Sequence, residues 1–270
     1  MHIMTVSAEE LGRDSLLVVA HPDDEALWFS SVLAHVPRVA IAYLDEHDQP
    51  PEVTEARVRV QRRYPLGTAV WLGVRGAGMF GKGIWDGSLS PWGTPFAESE
   101  DIRAYQDGYR EVERNLAELA ANDKVRRIIC HSPWGEYGHE DHVQVFVAAA
   151  SVAARLGLEV WYPLYCSQFT VALANERVHD FSSSCVMLPA NTALAHRLRD
   201  LYMEEGCWTW SPRYEWLPSE TFVRLSSGQA QAWGAVPINY LRLPFRELSS
   251  RPGVAAIGQG PTAGATARRG

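Results

Sequence analysis

Residues 21–25 read His-Pro-Asp-Asp-Glu and follow directly on the apolar run Leu16-Leu17-Val18-Val19-Ala20. One imidazole and three carboxylates are costly where a buried strand ends, because adjacent carboxylates repel and buried unpaired charge is expensive. A cation relieves that cost. A second polar cluster, HSPWGEYGHEDH from His131 to His142, carries His139, Asp141 and His142 at a loop-to-helix junction. Residues three apart share a helix face, so His139 and His142 point into one cleft while Asp141 turns away. With His21 and Asp24 the clusters supply two neutral imidazoles and a carboxylate, a set typical of catalytic zinc with a fourth position left for water. The same set suits Fe(II), Co(II) or Ni(II).

The elements that must position these groups alternate. Apolar, β-branched-rich runs at 15–20, 39–44, 68–74, 125–131 and 158–165 read as strands, and 25–36, 52–64, 100–122 and 139–156 between them read as helices. The third of these places Ile102, Tyr105, Tyr109, Val112, Leu116 and Leu119 at three- and four-residue spacing. Such alternation implies an α/β fold, a Rossmann-like, mostly parallel sheet flanked by helices with right-handed crossovers and function beyond the carboxyl ends of its strands. In the order 3-2-1-4-5, strands 1 and 4 are neighbours, and the two polar clusters at their ends meet. Beyond residue 166 the pattern becomes irregular and aromatic-rich. A helix is expected at 192–205 and a short strand at 221–225, with CWTWSPRYEW a candidate lid. We expect one domain over 1–247, with its core at 15–165 and a specificity region at 166–247. The Gly-, Ala- and Pro-rich segment 248–270 is expected to be a mobile tail.

Composition narrows the class. A net charge of -7 disfavours nucleic acid as a partner, and no apolar run reaches the length of a membrane span. The first residues lack a basic segment followed by an apolar one, so a cytoplasmic protein is expected. Cys130, Cys166, Cys185 and Cys207 lie far apart without a C-x-x-C pair and read as free thiols. A homo-oligomer is compatible with this composition.

AHPDDE followed far downstream by GHEDH resembles the PIG-L/LmbE-like family of zinc-dependent N-acetylglucosaminyl deacetylases. The likeness spans roughly residues 15–165, including VWLGVRGAGMFG and WGEYGHEDHVQV, and ETFVRL resembles the family's short closing strand. It implies His21, Asp24 and His142 as metal ligands and Asp23 as the base that takes a proton from activated water. It also implies that His139 donates to the leaving amine or stabilises the oxyanion, that Tyr137 assists, and that Asp141 orients a histidine. Amide hydrolysis needs those parts, namely an activated water, a polarised carbonyl and a proton for nitrogen. Adjacent aspartates suit it because consecutive side chains point in different directions, one to metal and one to water.

The sequence departs from the family where Leu-x-x-Gly-Gly usually follows HPDDE. Here ALWFSS places Trp28 and Phe29 in that position, and Glu140 stands where Pro is common. The family's substrate arginine has competing counterparts in Arg57, Arg59, Arg62 and Arg63, of which we take Arg57; Asp86 and Trp208 are further substrate candidates. GAGMFG at 76–81 matches G-x-G-x-x-G, and GAGMFGKG nearly matches a P-loop, but loop text follows where both motifs need a helix. Loop tryptophans (Trp85, Trp92, Trp134, Trp208, Trp210, Trp216) favour a glycoside or other bulky ligand. The expected activity is a metal-dependent, zinc-type removal of N-acetyl from an N-acetylglucosaminyl small molecule, a pseudodisaccharide or glycosylated natural product. An amidase splitting a larger conjugate, or a non-catalytic sugar- or metal-binding protein, remain alternatives.

Overall fold

The computed structural model describes residues 2–3, 5–47, 49–85, 88–97, 101–225 and 238–241, so the segment expected as a tail lies outside the described residues. In chain order the elements begin with β1 (His2–Ile3), α1 (Ala8–Gly12), β2 (Ser15–Val19), α2 (Asp24–Trp28), α3 (Ser30–Leu33) and β3 (Arg38–Glu46). They continue with α4 (Pro51–Arg63), β4 (Ala69–Gly76), α5 (Asp101–Asp123), β5 (Arg127–Ile129), α6 (Glu140–Leu156) and β6 (Glu159–Pro163). The last are β7 (Tyr165–Ser167), α7 (Val171–Phe181), β8 (Ser182–Pro189), α8 (Thr192–Glu205), β9 (Ser219–Leu225) and β10 (Asn239–Leu241).

The main sheet runs β1-β8-β9-β6-β5-β2-β3-β4. The order expected from sequence, 3-2-1-4-5, is its stretch β4-β3-β2-β5-β6. Within that stretch every pairing is parallel, whereas β9 runs antiparallel to both β6 and β8. A second, two-stranded sheet joins β7 and β10. Every residue of β2 is buried, as a strand covered on both faces requires. Leu16 and Val18 pack with Val112, Leu116, Val145 and Val152, while Leu17 and Val19 pack on the other face with Leu27, Val60 and Leu198. Among the described residues no helix is long and apolar enough to cross a membrane. All four cysteines are buried and free.

One expected helix is two. The 25–36 segment breaks at Phe29, whose backbone leaves the helical region at φ -133 and ψ 18. The cause is a competitor for its hydrogen bonds. Glu220 of β9 reaches across and accepts the Ser30 and Ser31 amides at 3.1 and 3.0 Å and their hydroxyls at 2.7 and 2.6 Å. The Ala26 carbonyl, which a continuous helix would have offered to Ser30, accepts instead from Trp216 Nε1 at 2.7 Å. The closing strand therefore shapes the segment that carries HPDDE, although about 190 residues separate them.

Glu220→Gln should be strongly destabilising. An amide offers one oxygen where the carboxylate offered two, so a backbone N–H of Ser30 or Ser31 is left facing an NH2 group. A loss of roughly 2–4 kcal/mol is expected, read as a lower urea midpoint with unchanged slope; an unchanged midpoint would contradict this role.

Candidate metal centre and active site

β2 and β5 pair directly, so the loops at their carboxyl ends face each other. Pro22 and Asp23 turn the chain from β2 into α2, with Asp23 at the cap in the left-handed region at φ 106. Such a backbone is strained for a residue with a Cβ and needs support. Glu25 gives it, accepting the Asp23 amide on Oε2 at 3.1 Å while its Oε1 accepts the Tyr64 and Tyr202 hydroxyls at 3.0 and 2.7 Å. The third carboxylate of HPDDE thus serves the turn, and burial pushes it up to about 7.

Asp24 faces the opposite cluster. Its Oδ2 accepts the His21 amide at 2.7 Å, and its Oδ1 accepts Trp28 Nε1 at 3.3 Å. His142 Nε2 lies 3.4 Å from Oδ1 and His131 Nε2 lies 3.4 Å from Oδ2. His139, the extended cap residue ahead of α6, and His142 in its first turn stack with ring centroids 4.7 Å apart and an interplanar angle of 11°. Asp141 does not turn away from this cleft. Its Oδ2 lies 3.2 Å from His21 Nε2, because the first turn of α6 is buried all round and every side chain there meets protein.

Glu136, which sequence reasoning passed over, ties the centre together. One oxygen, Oε2, is 2.9 Å from His131 Nδ1 and 2.6 Å from His142 Nδ1, while Oε1 accepts the Ser132 amide at 2.8 Å. Burial works against its charge, but His131 and His142 hold it at about 2. Burial likewise opposes an imidazolium at His131, and Glu136 and Asp24 overcome it, favouring a value near 9. The Ala20 amide decides the form here: it donates to His131 Nε2 at 2.9 Å, which requires a lone pair on that nitrogen and a proton on Nδ1. Both nitrogens of His131 are then engaged, and it acts as a brace.

Among the described residues, donor atoms within 4.8 Å of one another form two overlapping groups, His21–His139–His142 and Asp24–His131–His142. The set expected from sequence shares His21 and His142 with the first, and Asp24 and His142 with the second. A divalent ion fits this chemistry. His142 Nε2 is buried and makes no hydrogen bond, since Glu136 holds the proton on the other nitrogen; Asp141 Oδ1 is also buried and unpaired. Asp23, Asp24, Glu25, Glu136, Glu140 and Asp141 are all buried, a crowd of carboxyl groups whose ionised forms a cation would favour.

Asp23 points elsewhere from Asp24. Its Oδ2 accepts the Thr209 hydroxyl at 2.6 Å and the Thr209 amide at 3.2 Å. Burial, then the Asp24 charge, push it up to about 8. His139, the cap of α6, accepts the Asp141 amide on Nδ1 at 3.2 Å and stacks on Phe80, an exposed ring at the mouth of the site. Tyr137 is half-buried with its ring near His139, His142 and Trp210.

The substrate-side expectations fare unevenly. Arg59 and Arg63 pair with Glu204 and Glu205 of α8, and Arg62 is exposed. Arg57 is buried, donates to the Leu44 carbonyl at 3.2 Å and bears electrostatically on Asp23. Asp86 lies outside the described residues. Trp208 turns toward Tyr202 and Trp216, and its indole donates to Ser211; Trp210 is the ring that meets Tyr137 and Trp28. Trp134 is core, fully buried with Nε1 donating to the Tyr165 carbonyl at 2.6 Å. Trp28, bulky where the family is small, is also fully buried and packs edge-on against Tyr165 and Trp210. In the glycine loop, the Gly81 and Gly83 amides donate to Glu140 at 3.1 and 2.9 Å, so the chain's own carboxylate occupies donors a phosphate would need.

Residues 16–153 match the family model described as GlcNAc-PI de-N-acetylase, PIG-L. A 1D-myo-inositol 2-acetamido-2-deoxy-alpha-D-glucopyranoside deacetylase of Corynebacterium glutamicum strain R is 33% identical over 151 residues, 49% of this chain and 50% of that protein. The deacetylase of the same name from Corynebacterium diphtheriae is 27% identical over 164 residues, 55% of each. The chain thus spans about half the length of the curated relatives it matches. Among solved structures, a deacetylase–teicoplanin complex from the teicoplanin biosynthesis pathway aligns with a TM-score of 0.49 and 12% identity, over 79% of this chain and 100% of that one.

Glu136→Gln should weaken divalent-ion binding roughly 10- to 100-fold, the usual cost of losing a carboxylate behind a ligating histidine. Titration calorimetry on the variant and the parent protein tests this; equal affinities would remove Glu136 from the centre.

Proposed function

The chain belongs to the PIG-L, GlcNAc-PI de-N-acetylase family, and on that premise we propose that it is a metal-dependent hydrolase removing N-acetyl from an N-acetylglucosaminyl-containing small molecule. The observation that carries this reading is the buried His142 Nε2, without a hydrogen-bond partner among the described residues, set among buried carboxylates and near an aspartate, Asp23, held by Thr209. The substrate class rests on the curated relatives, whose name specifies an acetamido sugar joined to inositol. We assign residues 1–247 to one domain, with the 166–247 region on the substrate side.

We assign His21, Asp24 and His142 as the ligands and zinc as the ion. His131 is excluded because Ala20 and Glu136 occupy both of its nitrogens. His139 sits at the mouth against Phe80, where it can meet substrate. A divalent ion held there lowers the pKa of water toward neutrality and polarises the acyl carbonyl. Asp23 accepts the proton of the attacking water as its oxygen bonds to the carbonyl carbon. The proton taken by Asp23 passes to nitrogen as the C–N bond breaks, while the Nε2–H of His139, whose Nδ1 accepts the Asp141 amide, stabilises the acyl oxyanion, so amide and water become acetate and amine. Tyr137 assists at the acyl oxygen, and Asp141 keeps His21 oriented.

The test is mass spectrometry of N-acetylated amino sugars and pseudodisaccharides incubated with zinc-loaded protein. Loss of about 42 Da, the acetyl-for-hydrogen exchange of metal-assisted amide hydrolysis, is expected. Chelation should abolish it and zinc restore it. Asp23→Asn should retain the metal and lose on the order of 10²- to 10⁴-fold in turnover, whereas His142→Ala should lose turnover and hold the metal more weakly, with one imidazole fewer. Metal uptake with no mass loss across the panel would contradict deacetylation and favour a binding protein.

A further inference from the structure

The segment from Cys207 to Trp216 crosses the site as a strap. It leaves α8 with the Cys207 amide donating to the Tyr202 carbonyl at 2.9 Å, and it is pinned again where Trp216 Nε1 donates to the Ala26 carbonyl. Between these points Trp210 packs edge-on against Trp28, with ring centroids 5.1 Å apart. Ala26 and Trp28 both belong to α2, the short helix that Asp23 caps. The strap is therefore anchored to the element that carries the aspartate, and its placement over Asp23 is built into the fold. Thr209, at its centre, is exposed, yet its hydroxyl and amide both end on Asp23 Oδ2. The next residue, Trp210, lies against Tyr137.

We infer that Thr209 is a positioning residue for Asp23, which it holds through Oδ2 so that Oδ1 is the oxygen that takes the proton from water. The inference rests on the reading of Asp23 as the base. A carboxylate oxygen that accepts two hydrogen bonds has little capacity left for a third partner, and the pair of bonds also fixes the plane of the carboxylate. Asp23 needs such a guide from outside its own loop. Its backbone is held by Glu25, and its side chain leaves a strained turn with one oxygen, Oδ2, on the surface strap. A base that must meet a water beside the ion gains from having one rotamer enforced.

The experiment compares Thr209→Val, Thr209→Ser and Asp23→Asn with the parent chain, all zinc-loaded, on the N-acetylated substrate the parent turns over best. Thr209→Val should lower kcat roughly 10- to 100-fold, the range expected for removing one hydrogen bond to a charged group. KM, zinc affinity by calorimetry and thermal midpoint should be little changed, and Thr209→Ser should recover most of the lost kcat. Amide exchange at Thr209 should be slow in the parent and fast in Asp23→Ala, which reports the contact without any turnover. If Asp23→Asn is inactive while Thr209→Val keeps the parent kcat, the deacetylase reading stands and the positioning role is overturned. A rise in kcat in Thr209→Val would also overturn it, by showing the strap to be inhibitory. If the parent turns over nothing, the deacetylase reading fails and this role fails with it.

Discussion

The centre depends on one carboxylate oxygen. Glu136 Oε2 sits between His131 Nδ1 and His142 Nδ1, fully buried, in the loop that links β5 to α6. By accepting the Nδ1–H of each ring it fixes two tautomers at once. His131 Nε2 is then available to the Ala20 amide, which locks the end of β2 to the end of β5. His142 Nε2 is left bare toward Asp24. A glutamine here could keep its single oxygen between the rings only by setting its NH2 against the Ser132 amide, donor against donor. The rings' stacking, at 3.9 Å between the centroids of His131 and His142, is possible because the acceptor lies between them.

Around that oxygen the fold works as a set of clamps on a strained turn. β2 and β5 bring the two clusters together, as neighbouring parallel strands at a switch point must. The turn after β2 is then held by carboxylates acting on backbone amides. Glu25 secures Asp23, Glu220 ends the helix that follows, and Glu140 draws in the glycine loop beside the mouth. Each is a buried acid with its partners in place, and each joins segments far apart in sequence. The C-terminal strap adds Thr209 to the same turn from the outside.

What could be read in the sequence was what depends on period and adjacency. The apolar runs became strands, their order came out as expected, and His139 and His142 stack, the first as the cap of α6 and the second in its first turn. What could not be read was where a side chain a long way off would land. Phe29 breaks a helix because Glu220 competes for its amides, which no local pattern announces. Glu25 looked like part of the charge cluster, but two tyrosines far off in sequence, Tyr64 and Tyr202, turn it to the backbone. Trp208 and Trp210 are equivalent as text, and only the strap's anchoring decides that Trp210 faces Tyr137. Glu136 carried a signal, since an acid inside a His-rich loop is well placed to orient imidazoles.

The account stands on His142 Nε2 being the bare donor of a divalent-ion site, and X-ray absorption at the zinc edge tests that most directly. It predicts one ion per chain with two imidazoles and oxygen donors in the parent protein, and loss of one imidazole in His142→Ala. Zinc that binds substoichiometrically, or whose ligand set is the same with and without His142, would contradict it.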